Sequence, residues 1–178
     1  MSRGYLLVDG YNIIFANEEL AKLAANSIDN ARRRLCDILC DYQGATGRII
    51  IVVFDAHLVE GNLGSLEEYH NITVVFTKEA ETADHYIEQT TWKLARQDKV
   101  IVATSDNLEQ VIILSHGAQR MSAWDLMADI KHVKTKQQEK YLRTQPVKNN
   151  PLVGLLDPET ARKLDAMRYG DNNSKKDK

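Results

Sequence analysis

Four short apolar runs constrain this chain more than any other feature: GYLLVD (4–9), RIIIVVFD (48–55), NITVVFT (71–77) and KVIVATS (99–105). Each is apolar throughout rather than alternating, the pattern of a strand covered on both faces. Helical patterns lie between them. Ile28, Ala31, Leu35, Ile38 and Tyr42 step by three or four, with Ser27 as N-cap and Gly44 as stop. Thr82 caps a second helix running to about Gln97, with Ile87, Thr91 and Leu94 on one stripe. NLEQVIILSHG reads as a short buried helix ending at Gly117. Strand alternating with helix restricts the chain to an α/β fold with a mostly parallel sheet of four or five strands and right-handed crossovers.

RMSAWDLMADI adds a brief strand at 119–121, then a helix opened by a capping box of Ser122 and Asp125. Trp124, Met127, Ile130, Val133 and Tyr141 lie on this helix, and its first turns are expected to dock through them. The other face bears Lys131, Lys134, Lys136, Lys140 and Arg143. TQPVKNNPLVG breaks it, Asp157-Pro158 opens a last helix to about Arg168, and DNNSKKDK reads as a disordered tail. The expected organisation is one domain over 1–145, an extension with a short helix over 146–170, and a tail over 171–178. No internal repeat or second core is visible.

No apolar stretch is long enough to span a membrane. The first apolar run ends at Asp9 after five residues, unlike a signal peptide. A cytoplasmic protein is expected, or a stromal one if the chain is organellar. Cys36 and Cys40 stand one helical turn apart with no further Cys or His to complete a zinc site, so they read as reduced core thiols. The oligomeric state is not written in the sequence.

The net charge of −2 conceals an asymmetry. Residues 1–130 carry 11 Lys/Arg and 19 Asp/Glu, a net of −8; residues 131–178 carry 12 and 6, a net of +6. An acidic body suits a carboxylate-lined site, and a basic end suits a phosphate-bearing partner.

The acids are not scattered. Asp9 ends the first strand, Asp55 the second, and Asp106 follows the fourth. Asp84 falls in the first turn of the helix after TKEAETAD, with Glu81 just outside it. Parallel strands share a direction, so these carboxylates gather at one edge, where open α/β sheets bind ligands. One strand-end Asp is commonly a turn or cap; three at one edge with a helix-borne fourth repel one another and shift each other's pKa. A divalent cation relieves that conflict, and hard oxygen ligands suit Mg²⁺ or Mn²⁺. Such an ion activates water and stabilises charge on a phosphoryl group.

LLVDGYN, VVFDAH, FTKEAETAD and ATSD, in this order and spacing, resemble the YacP-like NYN-domain proteins, a branch of the PIN-like nucleases. The resemblance covers roughly residues 4–143. It implies a PIN-like three-layer fold with helices on both faces of the sheet. It also implies a metal-dependent endoribonuclease that associates with the ribosome and cuts mRNA. Carried over, Asp9, Asp84 and Asp106 would hold the metal, Asp55 would be a further acid, and Asn12 a polar support for substrate or metal-bound water. His57 matches the DAH motif, either as a general base or as an ordered loop residue. Glu81 either joins the site or merely precedes the helix.

Other residues have two readings each. Thr104 and Ser105 are placed to bond a scissile phosphate, and Ser105 equally to cap the next helix. Tyr5, Tyr11 and Trp92 can stack on bases or fill the core, with Tyr11 the best placed for substrate. The Arg32–Arg34 run reads as a solvated helix face, and the lysine-rich face as a grip on structured RNA or as a self-solvating surface. His85 points away from Asp84 and is left out.

Rival classes fit less well. A phosphoacceptor receiver domain wants an acidic pair after the first strand and a Lys after the last; here stand Asp9-Gly10 and Arg120. An Asp-x-Asp phosphatase fails at Tyr11, and no Gly-x-Gly-x-x-Gly follows the first strand. A non-catalytic RNA-binding or ribosome-binding module would keep the basic helix but has no use for clustered acids.

Overall fold

A computed structural model describes residues 4–55, 64–78, 81–106, 117–144 and 159–160. Six described strands form one sheet: β1 (Gly4–Asp9), β2 (Ile49–Phe54), β3 (Ser65–Tyr69), β4 (Ile72–Phe76), β5 (Lys99–Ala103) and β6 (Gln119–Met121). Five described helices accompany them: α1 (Gly10–Ala16), α2 (Glu18–Asn26), α3 (Ile28–Thr46), α4 (Ala83–Leu94) and α5 (Ala123–Thr144). His57, residues 107–116, Lys148, the 146–158 segment and the 171–178 tail lie outside the described residues, as does the last helix apart from 159–160. By its contacts the chain divides into Met1–Gln137 and Gln138–Lys178, a division that falls inside α5. No helix among the described residues is long and apolar enough to cross a membrane.

The strand order is β3-β4-β2-β1-β5-β6. β1 pairs in parallel with β2 and β5, β2 with β4, and β5 with β6. Only β3 runs antiparallel, joined to β4 through a tight turn with His70 at a φ of 54°. Successive strand residues point to opposite faces. Leu6, Val8, Ile50, Val52, Phe54, Ile72 and Val74 therefore enter one core with residues of α1, α2, α3 and α5. Leu7, Val53, Val75, Val100 and Val102 enter the other, closed by Ala83 and Ile87 of α4. The result is three layers, helix, sheet, helix.

Three local features depart from the sequence reading. β3, SLEEY, was not expected; it is an exposed edge strand whose Glu67 and Glu68 face solvent, so it lacks the apolar signature of the buried strands. α3 runs past Gly44 to Thr46 and is capped at Gly47 with a φ of 70°, a left-handed position that glycine adopts without a Cβ penalty. Trp124 does not dock but stands 78% exposed. α5 instead buries Ala123 and Leu126, with Met127, Ile130 and Val133 packed partly against the core.

Candidate active site

Because β1, β2 and β5 are mutually parallel, Asp9, Asp55 and Asp106 all emerge at one edge of the sheet. Each is then fixed by a different local device. β1 passes into α1 without a loop residue: Asp9 is both the last strand residue and the N-cap, its Oδ1 accepting the Asn12 amide at 3.1 Å. The Asp-Gly pair is therefore not a turn. Gly10 is a glycine because a Cβ there would stand under 3.0 Å from three atoms of the Phe54 ring at the end of β2. That contact holds the ends of β1 and β2 together, and with them Asp9 and Asp55.

Asp55 accepts the backbone N–H of Ala83 at 3.3 Å, so the end of β2 grips the start of α4. Thr82 caps the same helix by accepting the His85 amide at 3.2 Å. Asp84 is thereby held in the first turn beside the strand ends. The loop after β5 is held from three sides. Asn12 Oδ1 accepts the Ser105 amide at 2.8 Å, Thr104 Oγ1 accepts the Asp106 amide at 3.1 Å, and Thr104 N–H donates to the Met121 carbonyl at 3.1 Å. Ser105 Oγ accepts the Ala123 amide at 3.4 Å, which ties this loop to the start of α5. Ser105 thus supports α5, while the buried Thr104 organises the turn bearing Asp106. Asn12 is likewise a positioning residue, spanning from the first helix to the Asp106 loop.

The electrostatics follow from this convergence. Asp9 is 8% exposed, and its carboxyl is pushed up to about 6. Burial is the largest cause; the charges of Asp84, Asp55 and Asp106 raise it further, while the Asn12 amide works the other way. Asp84 is also raised, through desolvation and then through Asp106 and Asp55. Asp9 thus feels the charge of the other three acids, and Asp84 that of Asp55 and Asp106. Among the described residues no three His, Cys, Asp or Glu side chains already stand close enough to hold a metal ion. The donor set fits a hard divalent cation: oxygen donors alone, surplus negative charge, and a buried acid whose ionised form is disfavoured without a counter-charge.

Other expected site residues are placed differently. Tyr11 is a core residue rather than an open stacking platform: it is 7% exposed, packs edge-on against Phe54 at 5.1 Å and accepts a 2.8 Å hydrogen bond from Arg32. Arg32 is in turn not solvated. Its side chain is 14% exposed, pairs with Asp29 and lies over the Phe76 ring. Glu81 donates its amide to the Lys78 carbonyl at 2.9 Å and is not among the charges that act on Asp9 and Asp84. Lys131, Lys134, Lys136 and Lys140 are exposed on α5; of Arg143 the helical backbone is described. Trp124 and Arg32 are what the sequence reading missed. A helical projection at about 100° per residue puts Trp124 roughly 125° from the centre of the Ala123–Leu126–Met127–Ile130–Val133 stripe, which was the available signal.

A three-layer α/β domain with acids at the carboxyl edge of a parallel sheet defines a class in which ligand chemistry sits at the strand ends. Comparison with known proteins narrows that class. The family model for the YacP-like NYN domain matches residues 6–169. The uncharacterized protein YacP of Bacillus subtilis is 39% identical over 167 residues, covering 93% of this chain and 97% of YacP. The crystal structure of Rae1 (YacP) from Bacillus subtilis superposes with a TM-score of 0.69 at 37% identity, covering 96% of this chain and 97% of that one. Its W164L mutant gives the same TM-score at 35% identity, covering 92% and 99%. The chain belongs to the YacP-like NYN family, a membership consistent with a nuclease-type domain.

Proposed function

We propose that the chain is a divalent-metal-dependent endoribonuclease, using Mg²⁺ or Mn²⁺ to cut RNA, most specifically mRNA in association with the ribosome. The observation that carries this reading is the set of mutually repelling carboxylates, Asp9, Asp55, Asp84 and Asp106, at one sheet edge of an NYN-family domain. Asp9, Asp84 and Asp106 would hold the ion, with Asp55 beside them. When bound, a divalent cation supplies an activated water and stabilises charge on the scissile phosphoryl group.

The chain's own residues do the rest. Asp9 keeps its position through the Asn12 amide, which orients the carboxylate toward the edge. Asn12 and Thr104 fix the backbone that presents Asp106, and Asp55 fixes the helix start that presents Asp84. These supports fix the backbone that carries the acids at one edge before substrate arrives, and the carboxylates would close on the ion from there. The exposed lysines of α5 supply the phosphate attraction that the acidic body lacks.

The test is cleavage of an end-labelled RNA with Mg²⁺, with Mn²⁺ and with EDTA, by the parent and by Asp84→Asn. Internal products that need the metal and vanish in the variant are expected. Cutting by Asp84→Asn at the parental rate refutes the assignment of Asp84.

A further inference from the structure

α5 begins at the edge that carries the acids, because β6 is parallel to β5 and delivers the chain there. Its first residue is bonded to the Asp106 loop through the Ala123–Ser105 contact, and that loop is bonded to Asn12 at 2.8 Å. Trp124 is the next residue. The core stripe of α5 is complete without it, yet an indole is left 78% exposed at this spot. Trp92, the other tryptophan, is 49% exposed and has the Arg96 guanidinium over its ring at 3.9 Å. Among the described residues no ring or cation lies over Trp124. Seven residues on, at about 20° of rotation and roughly 10 Å along the axis, the exposed Lys131 lies on the same face. Between them on that face lie the small side chain of the exposed Ala128 and the half-buried Met127.

A large flat apolar surface beside a carboxylate site, followed by a cation on the same helix face, matches single-stranded nucleic acid. Bases stack on aromatic rings whatever their identity, and phosphates seek the cation. We infer that Trp124 is a base-stacking platform, which takes the nucleobase of a nucleotide adjoining the cut and leads the RNA strand along α5 toward Lys131. This rests on the reading of the site as RNA-cutting and adds to it a residue that grips the base rather than the phosphate. Trp124 is a binding residue, not a member of the acid set.

The test uses the full chain carrying Trp92→Phe, so that Trp124 is its sole tryptophan. EDTA is present to prevent cutting. The probes are a short single-stranded oligoribonucleotide and an abasic strand of equal length and charge. Quenching of Trp124 fluorescence by the first and not by the second is expected. Trp124→Ala should weaken binding about 5- to 100-fold and Trp124→Phe only a few-fold, with unchanged thermal stability because the ring is exposed. Lys131→Gln should lower the salt slope of binding by about one. Equal affinity after Trp124→Ala, or equal quenching by the abasic strand, overturns the inference; a Trp124 surface meant for a protein partner would give that result. If the parent cuts RNA but shows no quenching, the inference fails and the nuclease reading stands. If it quenches with RNA but never cuts with Mg²⁺ or Mn²⁺, the nuclease reading fails and the platform stands. A parent that neither binds nor cuts removes both.

Discussion

Replacing Asp9 with Asn keeps an N-cap acceptor for the Asn12 amide and removes a buried charge. In the parent the Asp9 carboxyl is raised from 3.8 to about 6. At about 1.4 kcal/mol per pKa unit this is about 3 kcal/mol, an upper figure for a charge beside three others. A raised folded-state pKa means that the folded chain binds its proton more tightly than the unfolded one. The stability tied to that proton is complete below pH 3.8, declines as pH rises, and is gone above about 6. In Asp9→Asn nothing titrates at this position. Parent and variant should therefore unfold alike near pH 3.5, and the variant should be more stable by about 2–3 kcal/mol at pH 7.5 in EDTA. For a chain of this length that corresponds to a rise in Tm of very roughly 5–10 °C. A divalent cation offsets the difference: at a hundred times its Kd it stabilises the parent by about 2.7 kcal/mol and leaves the variant unmoved, so the two should then unfold at nearly the same temperature. Thermal melts across pH 3.5–8, with EDTA and with Mn²⁺, measure all three effects. A variant less stable than the parent at pH 7.5 in EDTA would refute the argument that Asp9 is held against its own desolvation and its neighbours' charge.

Gly10→Ala forces a Cβ into the Phe54 ring, so a loss of about 1–3 kcal/mol is expected in denaturant melts, together with loss of cleavage as Asp9 and Asp55 are driven apart. Thr91 is fully buried on α4 and its Oγ1 finds no partner among the described residues, so Thr91→Val should raise stability by about 1 kcal/mol with cleavage unchanged. Asn12→Ala releases the Ser105 amide and loosens the Asp106 loop; cleavage should fall at least tenfold while urea melts shift by about 1 kcal/mol. Replacing Lys134, Lys136 and Lys140 together with Gln should weaken ribosome binding and flatten its salt dependence while cutting of a short RNA persists; an unchanged salt slope removes the proposed grip.

The buried strands were legible in the sequence because both faces of the sheet are covered, which makes each of them a continuous apolar run. β3 was not, because an edge strand whose Leu66, Glu67 and Glu68 are all exposed, on both of its faces, looks like a loop. The carboxyl-edge placement of Asp9, Asp55 and Asp106 followed from strand direction alone and needed no contact information. What could not be read was how they are held. The Asn12–Ser105 bond spans 93 residues and the Asp55–Ala83 bond 28, and no local pattern encodes either. The reason Gly10 is glycine, the Phe54 ring, lies on another strand and leaves no local trace in the sequence. The core placement of Tyr11 and Arg32 was hidden for a similar reason: each was judged from its own helix, whereas their hydrogen bond joins α1 to α3. Trp124 is legible once its phase is followed: it is an aromatic residue beside the apolar stripe of α5, about 125° away from the centre of that stripe.

Metal-dependent cleavage at this edge requires that the four strand-end and helix-start acids draw together around a divalent cation. The direct measurement is a crystal of the chain soaked in Mn²⁺, with diffraction recorded at a wavelength where manganese scatters anomalously. An anomalous peak at bonding distance from the carboxylates of Asp9, Asp84 and Asp106, absent from a matching Asp84→Asn crystal, is the predicted result. Acids that remain apart at saturating Mn²⁺, or a peak that persists unchanged in the variant, would contradict it.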